Sequence, residues 1–231
     1  MPGSGSKDAV GAVEVEKLAW GPRIAREGRT TRELTRGADR KIATFDEPAS
    51  YTTECGEARV GGEAWRLRID ADRRASAVQV VGAQGGAAAP GDAAAPEGKA
   101  APGGGEQLPP SAARGFAAEA DPAQSKATFA RAGRIAVDLA GRPVTCVNER
   151  KTDWVIVDAQ DRKLGQFTGA AGGVRHVVVD LEPDAELDDA EAAFLAWVAR
   201  LALESGMVSR TWVLTLSLLV LTPLILLLLL L

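Results

Sequence analysis

The 231 residues carry 27 Lys and Arg against 31 Asp and Glu, one His and two Cys, for a net charge of −4 with 46% hydrophobic residues. Net charges of +1 over 1–82, −2 over 83–126 and −3 over 127–210 leave no basic block, so nucleic acid is not expected as a partner. Cys55 and Cys146 are too few and too scattered for a disulfide scaffold or a zinc site, and are expected as two free thiols.

Residues 1–11 are polar and small with no apolar h-region, so no secretory signal is expected. Arg23, Arg26, Arg29, Arg32, Arg36 and Arg40 then recur every three or four residues. That spacing suits one face of a helix that touches anionic lipid. It also suits a solvated edge of β-structure, which the dilution by Glu27, Glu33 and Asp39 favours. Short strands are expected at 41–46 and 51–55. Trp65, Leu67 and Ile69 alternate with Arg66 and Arg68, the period of two of a half-buried strand. Asp70, Ala71 and Asp72 make a polar turn, and 78–81 resumes a strand pattern.

From 83 to 126 the chain turns to Ala, Gly and Pro with scattered charge. Few side chains there offset the entropy of ordering, so this stretch is expected to be a disordered linker. Beyond it, strands are expected at 135–139, 144–148, 154–157, 164–167 and 174–180. An Asp-Arg pair follows Trp65 by seven residues and follows Trp154 by the same interval, at Asp72-Arg73 and Asp161-Arg162. The two hairpins form a candidate internal repeat. Closely spaced short strands predict a barrel or sandwich.

A helix is expected over 188–204. Glu186, Asp188, Asp189 and Glu191 crowd its start, where the helix dipole favours negative charge. Its residues 192–198 are apolar nearly all round, as an enclosed helix requires. Ser205-Gly206 end it. Residues 211–231 hold no charge and a dozen leucines. At about 1.5 Å per residue they reach roughly 30 Å, the thickness of a bilayer core. A single transmembrane anchor is expected over 208–231, with the lipid bilayer as partner through 211–231. Trp212 sits at the headgroup level, and Arg200 and Arg210 hold the N-terminal body in the cytoplasm.

The expected fold is mainly β (α+β), an antiparallel β-barrel around or against a C-terminal apolar helix, followed by the transmembrane helix. Its parts are 12–82 as the first half of the barrel, 83–126 as linker, 127–206 as the second half plus helix, and 208–231 as anchor. Repeated Trp-bearing hairpins, Gly61-Gly62, an acidic lead-in and a hydrophobic helix at 187–203 together resemble the tubby C-terminal-like group, which includes LURP-one-related proteins and phospholipid scramblases. The resemblance covers about residues 12–82 and 127–204. It implies a closed barrel of about a dozen strands wound round a central apolar helix. The long linker and the separate anchor depart from that pattern.

No catalytic, cofactor-binding or metal-ligating residue is assigned. His176 lies beside Arg175 without a second histidine or a Gly-x-Ser-x-Gly elbow. The acids of 180–191 lack EF-hand spacing. The expectation is a non-enzymatic, tail-anchored cytoplasmic domain at the cell membrane that binds a phospholipid or protein partner. A tethered scaffold recruiting partners through its linker is the alternative, and a tethered hydrolase using His176 a poorer one.

Overall fold

The computed structural model describes residues 15–26, 29–47, 55–80, 113–124, 127–150, 152–169 and 177–204, with 219, 221 and 222. Twelve strands form one closed ring: β1 (Glu16–Arg26), β2 (Arg29–Arg36), β3 (Arg40–Glu47), β4 (Cys55–Val60), β5 (Glu63–Asp70), β6 (Arg74–Gln79), β7 (Gly115–Ala120), β8 (Arg134–Leu139), β9 (Arg142–Arg150), β10 (Asp153–Asp158), β11 (Lys163–Gly169) and β12 (Val177–Leu181). Each strand pairs antiparallel with its neighbours in sequence, and β1 closes on β12 through Leu18 opposite Val179. A ring closed in this way leaves no unpaired edge.

Local chemistry explains the turns. Val60 pairs with Glu63 around Gly61-Gly62, both at positive φ (57° and 91°), the mirror-image turn whose twist matches a hairpin. In β1, Gly21-Pro22 coincides with the register shift between Trp20 and Arg23, because a proline cannot donate to the ladder.

Alternation then sends one face inward. In β5, Trp65, Leu67 and Ile69 are buried while Arg66, Arg68 and Asp70 are exposed. An arginine facing lipid at the bilayer midplane costs about 2–4 kcal/mol, so an outer wall of this kind faces water. The interior holds α1 (residues 189–204), buried at every position from 191 to 203. Phe194 packs on Phe116 of β7 at 5.3 Å and on Trp197 at 5.8 Å between ring centroids. The expected enclosed helix is observed, and Asp188 is its cap rather than its first residue.

Several expectations are corrected. Residues 115–120 of the expected linker form β7, with Phe116, Ala118 and Ala120 turned inward; alanine has little strand preference of its own, and the neighbours β6 and β8 impose the strand. The arginines from 23 to 36 lie on strands, with Arg23 opposite Arg32 and Arg26 opposite Arg29, which removes the helical reading. The Trp hairpins are β5–β6 and β10–β11, five strands apart in a ring of twelve, so they do not repeat by half-barrels. Their turns also differ: Ala71 and Asp72 both take positive φ, whereas in 159–162 only Asp161 does. Residues 51–54 and 174–176 of two expected strands fall outside the described residues, as does the expected anchor apart from Leu219, Leu221 and Thr222. Among the described residues no helix is long and apolar enough to cross a membrane.

Candidate functional site

The antiparallel meander gives the barrel two poles. α1 starts at the pole that holds the β2–β3, β4–β5 and β8–β9 turns, and ends at the pole of the β1–β2, β5–β6 and β7–β8 connections. We call these the entry and exit poles.

At the entry pole the acidic lead-in is gripped by arginines from distant strands. Asp188 accepts the N–H groups of Ala190 and Glu191, both at 2.9 Å, and its own N–H donates to the Glu191 carboxylate at 3.0 Å. This is a reciprocal capping box. Arg114 bridges Asp188 and Glu191. Arg36 donates to the Leu187 carbonyl at 2.9 Å, to Asp189 at 3.0 Å and to Glu16 at 2.7 Å, while Arg40 clamps Asp189 from the other side. Arg142 donates to the Ala185 carbonyl at 3.0 Å. The Arg36 hydrogen bond holds the Glu16 carboxyl below its ordinary range. For Asp188 burial pulls upward, but the Glu191 N–H and Arg114 outweigh it and the net shift is downward.

The lumen is full. The apolar gap between α1 and β3 to β7, lined by Phe45, Trp65, Leu67, Phe116, Phe194 and Trp197, measures about 10 Å³, less than one water occupies comfortably. Arg200, expected with Arg210 as a charge flanking the apolar run, instead lies inside the barrel at 1% exposure. Its Nε donates to Glu204 at 2.6 Å and its guanidinium lies 5.1 Å from the Trp20 ring.

The outer wall carries an open saddle of about 740 Å³ across β5 to β9. Its floor is Ser76, Ala117 and Ala136, small side chains in adjacent registers, and its rims are Arg68, Arg74, Glu119 and Asp138. Arg73 and Arg74 both reach Glu119 at 3.1 Å, and the Asp138 carboxylate accepts the Gly141 N–H at 2.6 Å. Beside it, Asp72 stands at φ 55° in the β5–β6 turn with Oδ1 buried and no hydrogen-bond partner among the described residues. Burial pushes its carboxyl up to about 6.

Cys146 is buried in β9, where burial pushes the thiol up to about 12; a protonated, inaccessible thiol is no nucleophile. Cys55 lies in β4, five strands from β9 around the ring. His176 lies outside the described residues. Among the described residues no group of three or more His, Cys, Asp or Glu side chains is placed to hold a metal ion. No family model matches the chain, and no curated protein or solved structure matches it either.

Proposed function

We propose that the protein is a non-enzymatic β-domain that binds a phospholipid or protein partner on its outer surface and is tethered to the membrane by residues 211–231. The observation that carries this reading is the filled lumen. Among the described residues α1 occupies the barrel axis and the gap beside it toward β3 to β7 is about 10 Å³, which favours the wall and the poles for recognition. The saddle and the two poles are the surfaces available for it.

Tethering is supported by the composition of 211–231 and by Leu219 and Leu221, which are helical and 71% and 54% exposed. Two leucines left uncovered by the barrel fit a helix that finds its apolar partner in acyl chains. In this reading the barrel lies on the cytoplasmic side, with Arg210 at the boundary. The closed ring of twelve strands around one apolar helix also supports kinship with the tubby C-terminal-like group.

Deleting residues 208–231 tests the tether. The truncated chain is expected in the soluble fraction and the full chain in carbonate-washed membranes. Retention of the truncated chain after the carbonate wash would reject 211–231 as the sole attachment.

A further inference from the structure

We infer that the outer wall over β8 to β10 is a docking face for a second copy of this chain, packed about a twofold axis. This rests on the reading of the outer wall as a recognition surface and is independent of the tether. Two observations carry it.

The first is the composition of that wall. Ala136 of β8, Pro143, Thr145 and Val147 of β9, and Val155 and Val157 of β10 all point outward, as the alternation of their strands requires. Their pairing makes one uncharged strip: Thr145 lies between Ala136 and Val157, and Val147 lies opposite Val155. The wall over β4 to β6 is the reverse, with Glu57, Arg59, Arg66, Arg68, Asp70 and Arg74 exposed. An uncharged, half-buried sheet face of β-branched side chains suits packing on another sheet, at a separation of about 10 Å.

The second is charge. Arg134 and Asp138 stand on β8 at equal offsets on either side of Ala136, with Val147 and Pro143 opposite them. Both are exposed, and neither forms an ion pair among the described residues; Asp138 accepts the Gly141 N–H. A twofold axis lying in the interface along the row Ala136, Thr145 and Val157 exchanges the two positions. It sets Arg134 of each copy against Asp138 of the other, Pro143 against Val147, and each residue of the central row against itself. Glu119 of β7 ends that row, and Arg73 and Arg74 already meet its charge. Acyl chains on the same strip would leave Arg134 and Asp138 without counter-charges, whereas a copy of the chain supplies both. A closed twofold uses the face once and stops at a dimer. Because the ring is convex, contact is confined to β8, β9 and β10, which places the dimer at the weak end of protein interfaces.

The test uses the full chain in non-denaturing detergent on a Cys55→Ser background, with buried Cys146 kept. Thr145→Cys puts a thiol on the axis, and Arg66→Cys puts one on the charged wall. A short bis-maleimide is expected to join two Thr145→Cys chains several-fold more than two Arg66→Cys chains. Adding Arg134→Glu or Asp138→Arg to the Thr145→Cys chain sets like charges across the axis and should lower the cross-linked fraction at least about fivefold. Mixing these two charge variants should restore it, because each then meets the opposite sign, and that recovery also shows that both remain folded. Cross-linking at 145 that neither reversal lowers, or a mixture no better than each variant alone, overturns the twofold contact. Equal or stronger cross-linking at 66 overturns this face while leaving the outer wall as a recognition surface, and the carbonate wash reads the tether separately.

Discussion

Replacing Gly165 with alanine probes how tightly the barrel closes. A Cβ built at Gly165 meets the Asp180 carbonyl oxygen at 2.5 Å and the Leu181 Cα and Cδ2 atoms at 3.2 Å. The nearest atom is backbone of the paired strand, so no side-chain rotation relieves the clash, and β11 must separate from β12. Overpacking of this kind costs about 1–3 kcal/mol, and disturbing one ladder hydrogen bond adds about 1 kcal/mol. The lower backbone entropy of unfolded alanine returns about 0.5–1 kcal/mol, which leaves a net loss of about 1–3.5 kcal/mol. The matched control is Gly169→Ala, where the nearest atoms, on Leu203 and Thr152, lie at 3.7 Å; that variant should be neutral or slightly stabilised. Urea unfolding of the detergent-solubilised chain, followed by tryptophan fluorescence, should show a lower midpoint for Gly165→Ala at unchanged slope, and a melting temperature lower by roughly 5–10 °C. Equal midpoints for the two variants would refute the close approach of β11 and β12.

Leu195→Asp places a carboxylate at a position 1% exposed in the centre of the barrel; the cost of several kcal/mol should abolish the single cooperative transition, and loss of only a C-terminal transition would contradict one shared core. Asp72 supplies a pH dependence, because its carboxyl titrates near 6 when folded against an ordinary 3.8, so the native state holds the proton more tightly and stability falls as pH rises from about 4 through 6. Two units would correspond to about 3 kcal/mol, and solvent screening of a half-buried group reduces this to about 1 kcal/mol; Asp72→Asn should flatten that slope between pH 4 and 7 in thermal melts, and a slope unchanged by the substitution would point to another group. A specific protease site inserted after Gly104 should allow cleavage without dissociation, since β1–β12 and β6–β7 ladders hold the two pieces together; separation of the pieces on gel filtration in non-denaturing detergent would count against the closed ring.

Strands with a strong alternating signal were legible before folding was considered. Trp65, Leu67 and Ile69 show a period of two against Arg66 and Arg68, and β5 lies there. β1 was hidden because Gly21-Pro22 interrupts it. β2 was hidden because its run of Arg, Thr and Glu has a single buried apolar residue, Leu34. β7 reads as linker because alanine carries no β signal, and only pairing with β6 and β8 makes it a strand. The helix was legible from two local features, an acidic start and an apolar surface all round. The arginines that hold its start are at positions 36, 40, 114 and 142, on elements that meet only after the ring closes. The outer saddle was equally illegible, because Ser76, Ala117 and Ala136 are unremarkable residues until pairing sets Ser76 opposite Ala117 and Ala136 opposite Glu119 on neighbouring strands.

The buried helix α1 is not available as a membrane segment. Drawing α1 out of the barrel would expose Phe194, Leu195, Trp197, Val198 and Leu201, all at most 3% exposed. Large apolar side chains lose about 1.5–3 kcal/mol each on exposure, so withdrawal would cost on the order of 10 kcal/mol, comparable with the whole stability of a domain at about 5–15 kcal/mol. Inserting α1 into a bilayer would recover some of that for the helix but none for the emptied barrel, whose inward residues, Trp65 and Phe116 among them, would be left facing water. It would also bring Arg200 into the acyl chains, at a cost of about 2.5–3.5 kcal/mol. The barrel helix therefore stays in the barrel.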